Sequence, residues 1–169
     1  VHFDNKKGNE LNILALDLGT TTGWARCSRD GTVHSGSEKF APRRLEAAGQ
    51  RWLKFRSFLA DQRAAAGGEI HAVYFEDVKR HAGTTAAHVY GGFLAMLEAW
   101  CAANNVRMVG LGVGTVKVHW TGKGNADKDA MVAAAKVRGH APVDDNHADA
   151  LAILSLGREL ELAAQAAPF

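Results

Sequence analysis

Three carboxylates are spaced so that they could work as one group. Asp17 closes the largely apolar run 11–16, and Glu76 closes a second such run, 70–75. Runs of that length and character suit buried strands. A carboxylate at the end of a buried strand is costly to desolvate without a cation or a hydrogen-bonding partner. If the two strands lie side by side and parallel, Asp17 and Glu76 meet at one sheet edge. Asp149, near the head of an otherwise apolar final segment, would make a third acid there. Such an oxygen-rich cluster calls for hard divalent cations, Mg²⁺ or Mn²⁺. Two ions about 3.5–4 Å apart can clamp the attacking and leaving oxygens of an in-line phosphoryl displacement.

Positioning these acids requires a particular order of elements. Residues 11–17 read as a first strand, 23–28 as a second and 33–40 as a third. Asp30-Gly31 is the turn that returns the chain antiparallel. Leu45, Ala48, Trp52, Phe55 and Leu59 recur at helical spacing, which predicts a helix over 43–66 ended by Gly67-Gly68. A fourth strand spans 70–76. A basic loop follows, and then a helix from Thr84 or Thr85 to about Asn104. Gly91-Gly92 inside that helix costs roughly 1 kcal/mol per glycine relative to alanine, tolerable where another helix or a second subunit packs closely. A fifth strand spans 106–113. Residues 114–125 read as a loop, 126–138 as a short helix, and 147 to about 164 as the last helix. Three strands followed by helix–strand–helix–strand predict an α/β fold, a mixed five-stranded sheet covered by helices.

Composition limits the alternatives. The chain has 169 residues, 47% hydrophobic and 22% charged, as expected of one soluble globular domain over 11–165. Residues 1–10 are polar and read as a flexible N-terminal segment. No apolar run approaches the roughly 20 residues that span a bilayer. Cys27 and Cys101 lie far apart without metal-type spacing, which fits buried thiols and a cytoplasmic setting. The net charge of +2 decides nothing, but its distribution is uneven. Segment 117–138 carries five basic and two acidic residues, and 43–63 carries six and two. Basic surfaces beside an acidic site would let one hold phosphates while the other holds metal.

Four stretches together resemble the RuvC family of Holliday-junction resolving endonucleases, phage-type members especially. They are Ile13-Leu14-Ala15-Leu16-Asp17-Leu18-Gly19, Val73-Tyr74-Phe75-Glu76, the stretch from Lys117 to Lys128, and Asn146-His147-Ala148-Asp149-Ala150-Leu151-Ala152. The resemblance covers about 11–160 and implies a ribonuclease H-like fold, with three antiparallel strands followed by parallel ones. It implies metal-dependent cleavage of a DNA phosphodiester, leaving 5′-phosphate and 3′-hydroxyl ends. Asp17, Glu76 and Asp149 would be the carboxylates around two Mg²⁺ ions, with Mn²⁺ as a substitute and Asp17 bridging. The family has a further acid or histidine just before the last aspartate, commonly three residues earlier, and here that position is Asn146. Helical spacing also brings Asp145 near the face of Asp149. Asp145 is the better hard-cation ligand, Asn146 could offer a carbonyl or cap the helix, and His147 could position water or carry a proton.

The same resemblance assigns Lys117, Lys123 and Lys128 to the cleaved strand, through lysines spaced by Gly and Thr that suit phosphate contacts. Lys79 and Arg80 would extend that surface beyond Glu76. Several family members carry a junction-wedging aromatic near Lys79; this chain has lysine, which loosens the expectation of strict four-way junction specificity. Two symmetric nicks imply a homodimer, with Gly91-Gly92 as its contact, in a bacterial or phage-infected cell. A broader flap or branched-DNA nuclease is the nearest rival. Residues 16–23 also resemble the phosphate loop of actin-like kinases, but such kinases need a second domain. A non-catalytic DNA-binding domain is the third reading.

Overall fold

Residues 11–166 are described by a computed structural model, so the expected N-terminal segment 1–10 lies outside them. The chain starts as a meander. Strands β1 (Ile13–Asp17), β2 (Thr21–Cys27) and β3 (Val33–Lys39) pair antiparallel in turn. Gly31 takes φ 83°, a left-handed conformation that glycine adopts without Cβ strain, at the expected Asp-Gly turn. Strands β4 (Ala72–Asp77) and β5 (Arg107–Gly112) then add parallel on the other side of β1, giving the order β3-β2-β1-β4-β5. The mixed five-stranded sheet expected of the sequence is therefore present.

Side chains alternate across a strand, and β1 is buried on both faces, which is why its sequence is continuously apolar. Ile13 and Ala15 join a core with Tyr74, Val116, Trp120, Met131 and the apolar face of α5 (Asp145–Ala166). Leu14 and Leu16 join a second core with Val73, Phe75, Phe55, Leu59, Phe93 and Leu97. Those last four residues come from α1 (Gln50–Ala65) and α2 (Thr84–Asn104). Helices α3 (Val113–Thr121) and α4 (Lys128–Val137) complete the α5 side. Both cysteines are free and buried.

Three expectations need correction. The first helix begins at Gln50 rather than 43, and Leu45 is 96% exposed instead of in the core. Two tight turns precede the helix, in which Glu46 accepts from the Arg43 N–H and from Lys54. Residues 113–121 form α3, not a loop. Val116 and Trp120 are buried one turn apart, a spacing that outweighs the local Gly and Thr content, and Gly122 at φ 80° ends the helix. Finally, among the described residues nothing packs within 4 Å of where a Cβ on Gly91 would stand, whereas at Gly92 the expected close neighbour is another helix rather than a second subunit. A Cβ there would stand 2.3 Å from the Trp52 ring, so the missing side chain lets α1 pack on α2 within one chain.

Gly23 sits opposite Asp17 in the β1–β2 ladder, and the first turn of α5 lies on it. A Cβ at Gly23 would fall 1.8 Å from the Asn146 carbonyl oxygen, a backbone atom that cannot swing away. Gly23→Ala should therefore cost about 1–3 kcal/mol of stability through overpacking, measured by urea unfolding. Unchanged stability would show that α5 does not rest on this glycine.

Candidate active site

Register brings the first two acids together. Leu16 is paired with Phe75 across the parallel β1–β4 ladder, so the next residues, Asp17 and Glu76, stand level at the same end of the sheet. Helix α5 delivers the other two. The Asp144 side chain caps it, with Oδ1 accepting from the His147 N–H at 2.8 Å. The Ser37 hydroxyl on β3 donates to the same oxygen at 2.6 Å. Asp145 and Asp149, one turn apart, then share a helix face.

The electrostatics record how closely these acids are gathered. Burial, then the charges of Glu76, Asp149 and Asp145, hold the Asp17 carboxyl well above its ordinary range. Burial and Asp149 push Glu76 up to about 7. Burial and Asp145 push Asp149 up to about 6. Asp145 moves the other way, because its carboxylate pairs with the Lys128 ammonium. Desolvation and like charges each raise a carboxyl pKa, and a cation held among the acids would oppose both. The donors are all hard oxygens, which fits Mg²⁺ or Mn²⁺. Among the described residues, no three Asp, Glu, His or Cys side chains converge on one point closely enough to form a ready-made ion cage. The acids share a field and one end of the sheet.

The other expected residues divide into those near this edge and those away from it. Lys117 lies on α3 rather than in a loop. Its Nζ donates to the Ala126 carbonyl at 2.7 Å, and its charge opposes the upward shifts of Glu76 and Asp149. Lys128, at the start of α4, reaches Asp145 and feels Asp149 and Asp17. Lys123 is exposed in the turn between α3 and α4. Lys79 pairs with Asp77 just beyond Glu76, and Arg80 is exposed beside it.

His147 is not brought to the carboxylates. Its Nδ1 accepts from the Val143 N–H at 3.1 Å, and its Nε2 lies 2.8 Å from the Ser35 hydroxyl of β3. Burial lowers its pKa, and an Nδ1 that accepts from the Val143 N–H carries no proton of its own. The helix turns it toward β3, two positions away from the Asp149 face. Asn146 contributes its backbone to the Gly23 contact. The stretch Pro142-Val143-Asp144-Asp145-Asn146 reads in sequence as a break with strong N-cap character, and Asp144 is the residue that caps; Ser35 and Ser37 as supports of α5 were missed.

The fold has close solved counterparts. Thermus thermophilus RuvC in complex with a Holliday junction substrate superposes with TM-score 0.73 at 22% identity, over 90% of this chain and 96% of that one. Another T. thermophilus RuvC structure gives TM-score 0.69 at 21% identity, over 90% and 97%. The chain has the ribonuclease H-like fold of RuvC. The yeast mitochondrial Holliday junction resolvase Ydc2 aligns with the same RuvC-like fold at TM-score 0.64 and 13% identity, over 92% of this chain and 81% of that one. No protein-family model and no curated protein matches the chain, so the likeness to RuvC is carried by three-dimensional structure.

Raised carboxyl pKa values make the metal-free protein sensitive to pH. Glu76 and Asp149 bind protons more tightly folded than unfolded. Their contribution is therefore intact below their ordinary pKa values and is lost as pH rises through about 6 and about 7. Asp145, depressed, acts oppositely and only in more acid solution. In EDTA, Asp149→Asn should be more stable than the parent by about 1–3 kcal/mol near pH 8 and equal to it near pH 4. Denaturant titrations at the two pH values check this; equal stability near pH 8 would contradict it.

Proposed function

We propose that the protein is a metal-dependent, structure-selective endodeoxyribonuclease that nicks four-way DNA junctions symmetrically, leaving 5′-phosphate and 3′-hydroxyl ends. The observation that carries this reading is the sharing of one sheet end by Asp17, Glu76, Asp145 and Asp149. That group sits in a fold otherwise seen in RuvC bound to a Holliday junction substrate and in the Ydc2 resolvase. The catalytic unit is a single domain over 11–165, acting in the cytoplasm of a bacterial or phage-infected cell.

Asp17, Glu76, Asp149 and Asp145 would hold two Mg²⁺ ions, with Mn²⁺ as a substitute. Bound there, the ions supply charge to activate water and to stabilise the leaving 3′-oxygen. Asp17, on the central strand and in the fields of the other three, would be the carboxylate best placed to serve both ions. Lys128, paired with Asp145, would be available to a phosphate wherever a bound cation neutralises that carboxylate. Lys117 and Lys123 line the approach of the cleaved strand with positive charge, and Lys79 and Arg80 take the flanking backbone. Phosphate contacts of this kind fix register without reading sequence. His147 acts by holding the first turn of α5 rather than by touching the reacting atoms.

Two copies are needed for paired nicks, and the working form is a homodimer. The Lys79–Asp77 pair favours a second reading, a broader branched-DNA nuclease, because a charged residue held by a neighbouring acid replaces an aromatic wedge. Labelled four-way junction, flap and linear duplex, each with Mg²⁺, Mn²⁺ or EDTA, separate the two. Junction cleavage should exceed duplex cleavage and vanish in EDTA, with equal cutting of junction and flap supporting the broader nuclease. Asp17→Asn should bind the junction yet cut it at least ~10²–10³-fold more slowly, the scale of losing a charge-organising group at a reacting centre. Undiminished cutting would remove Asp17 from the site.

A further inference from the structure

Beyond the carboxylates, one buried side chain ties Glu76 to the basic loop that follows it. Tyr90 lies in the second turn of α2 and is 8% exposed. Its hydroxyl donates to the Glu76 carbonyl at 2.9 Å and accepts from the Val78 N–H at 3.2 Å. The phenol thus reaches the Glu76 carbonyl just beyond the last β1–β4 pair, Leu16–Phe75, and the Val78 N–H just beyond the last β4–β5 pair, Asp77–Gly112. The ring also packs against the His81 ring, with centroids 4.7 Å apart. A single residue of α2 therefore holds both ends of the segment that contains Asp77, Val78, Lys79 and Arg80.

We propose that Tyr90 is a positioning residue that couples engagement of DNA by Lys79 and Arg80 to the placement of the Glu76 carboxylate. This rests on the nuclease reading above. A phosphate pulling on Arg80 displaces a short loop whose two ends are pinned to one rigid ring. The pull is transmitted to the strand end instead of being absorbed by loop bending. Without the hydroxyl, the loop and the strand end move independently.

Tyr90→Phe keeps the ring, and with it the His81 contact, and removes both hydrogen bonds. Its Val78 amide should exchange with solvent at least ~10-fold faster, read by NMR on the metal-free protein. Mn²⁺ binding by calorimetry without DNA should weaken several-fold, while junction affinity in Ca²⁺ stays within about twofold. Single-turnover cleavage should fall roughly tenfold, and Arg80→Ala should slow that step in the parent but not further in the Tyr90→Phe background. Additive effects of the two substitutions on the cleavage step would overturn the coupling. So would an unchanged Val78 amide, or Mn²⁺ binding equal to the parent's. If the parent cuts no DNA, the nuclease reading fails. The amide and Mn²⁺ measurements then still decide whether Tyr90 positions Glu76.

Discussion

Four carboxylates at one end of a sheet repel one another, and the rest of the molecule holds them there. The repulsion is visible in Asp17, Glu76 and Asp149, all raised, with burial as the first cause and neighbouring acids as the next. Each pK unit of such a shift corresponds to about 1.4 kcal/mol, a substantial fraction of a domain's net stability. A chain tolerates that cost only where packing elsewhere fixes the acids and function requires them close. Two apolar cores, one on each face of the sheet, provide the packing.

Helix α5 carries two of the four acids, Asp145 and Asp149. It is held at three levels. At its start, Asp144 and His147 bond to Ser37 and Ser35 of β3, and the Asn146 backbone presses on Gly23. In its middle, Gly157 lets the Tyr74 ring approach to where a Cβ would stand at 2.8 Å. Toward its end, the Tyr74 hydroxyl donates to buried Glu161 at 2.6 Å, and Arg107 pairs with the same carboxylate. Tyr74 is two residues from Glu76 on β4, so the strand carrying one acid also anchors the helix carrying two others. The meander strands play an equally direct part, because β3 contributes hydroxyls rather than apolar bulk.

Much of this was legible in the sequence. Apolar runs ending in Asp17 and Glu76, the Asp-Gly turn and the strand–helix alternation specify the sheet, because period and turn chemistry are local properties. Other features were not local. Leu45 fits a helical stripe by spacing, yet the turns around Glu46 and Gly49 delay the helix past it. Val116 and Trp120 mark α3 only if Gly114 and Thr115 are discounted. His147, one residue past Asn146, could be placed only once β3 was seen to supply Ser35. The role of Gly92 likewise depended on Trp52, a residue 40 positions away that no local pattern connects to it. What sequence shows least is which long-range partner fills a given gap.

The stretch from Asp17 to Gly23 illustrates how those gaps decide chemistry. By composition it could cradle a nucleotide, as glycine and threonine backbones do when their N–H groups point outward. Here the turn is committed internally. The Thr22 hydroxyl donates to the Gly19 carbonyl at 2.8 Å and lies 3.4 Å from the Gly19 N–H, while Thr21 onward belongs to the β2–β3 ladder. The Thr20 carbonyl accepts from the Phe40 N–H, and the space above Gly23 is filled by Asn146. A loop with its hydroxyl turned inward and its glycine covered by a helix offers little to a polyphosphate. It instead forces a sharp reversal that sets Gly23 beside Asp17, and this is what allows α5 to come close enough to add its two acids. The glycine that first suggests phosphate binding serves the carboxylate cluster.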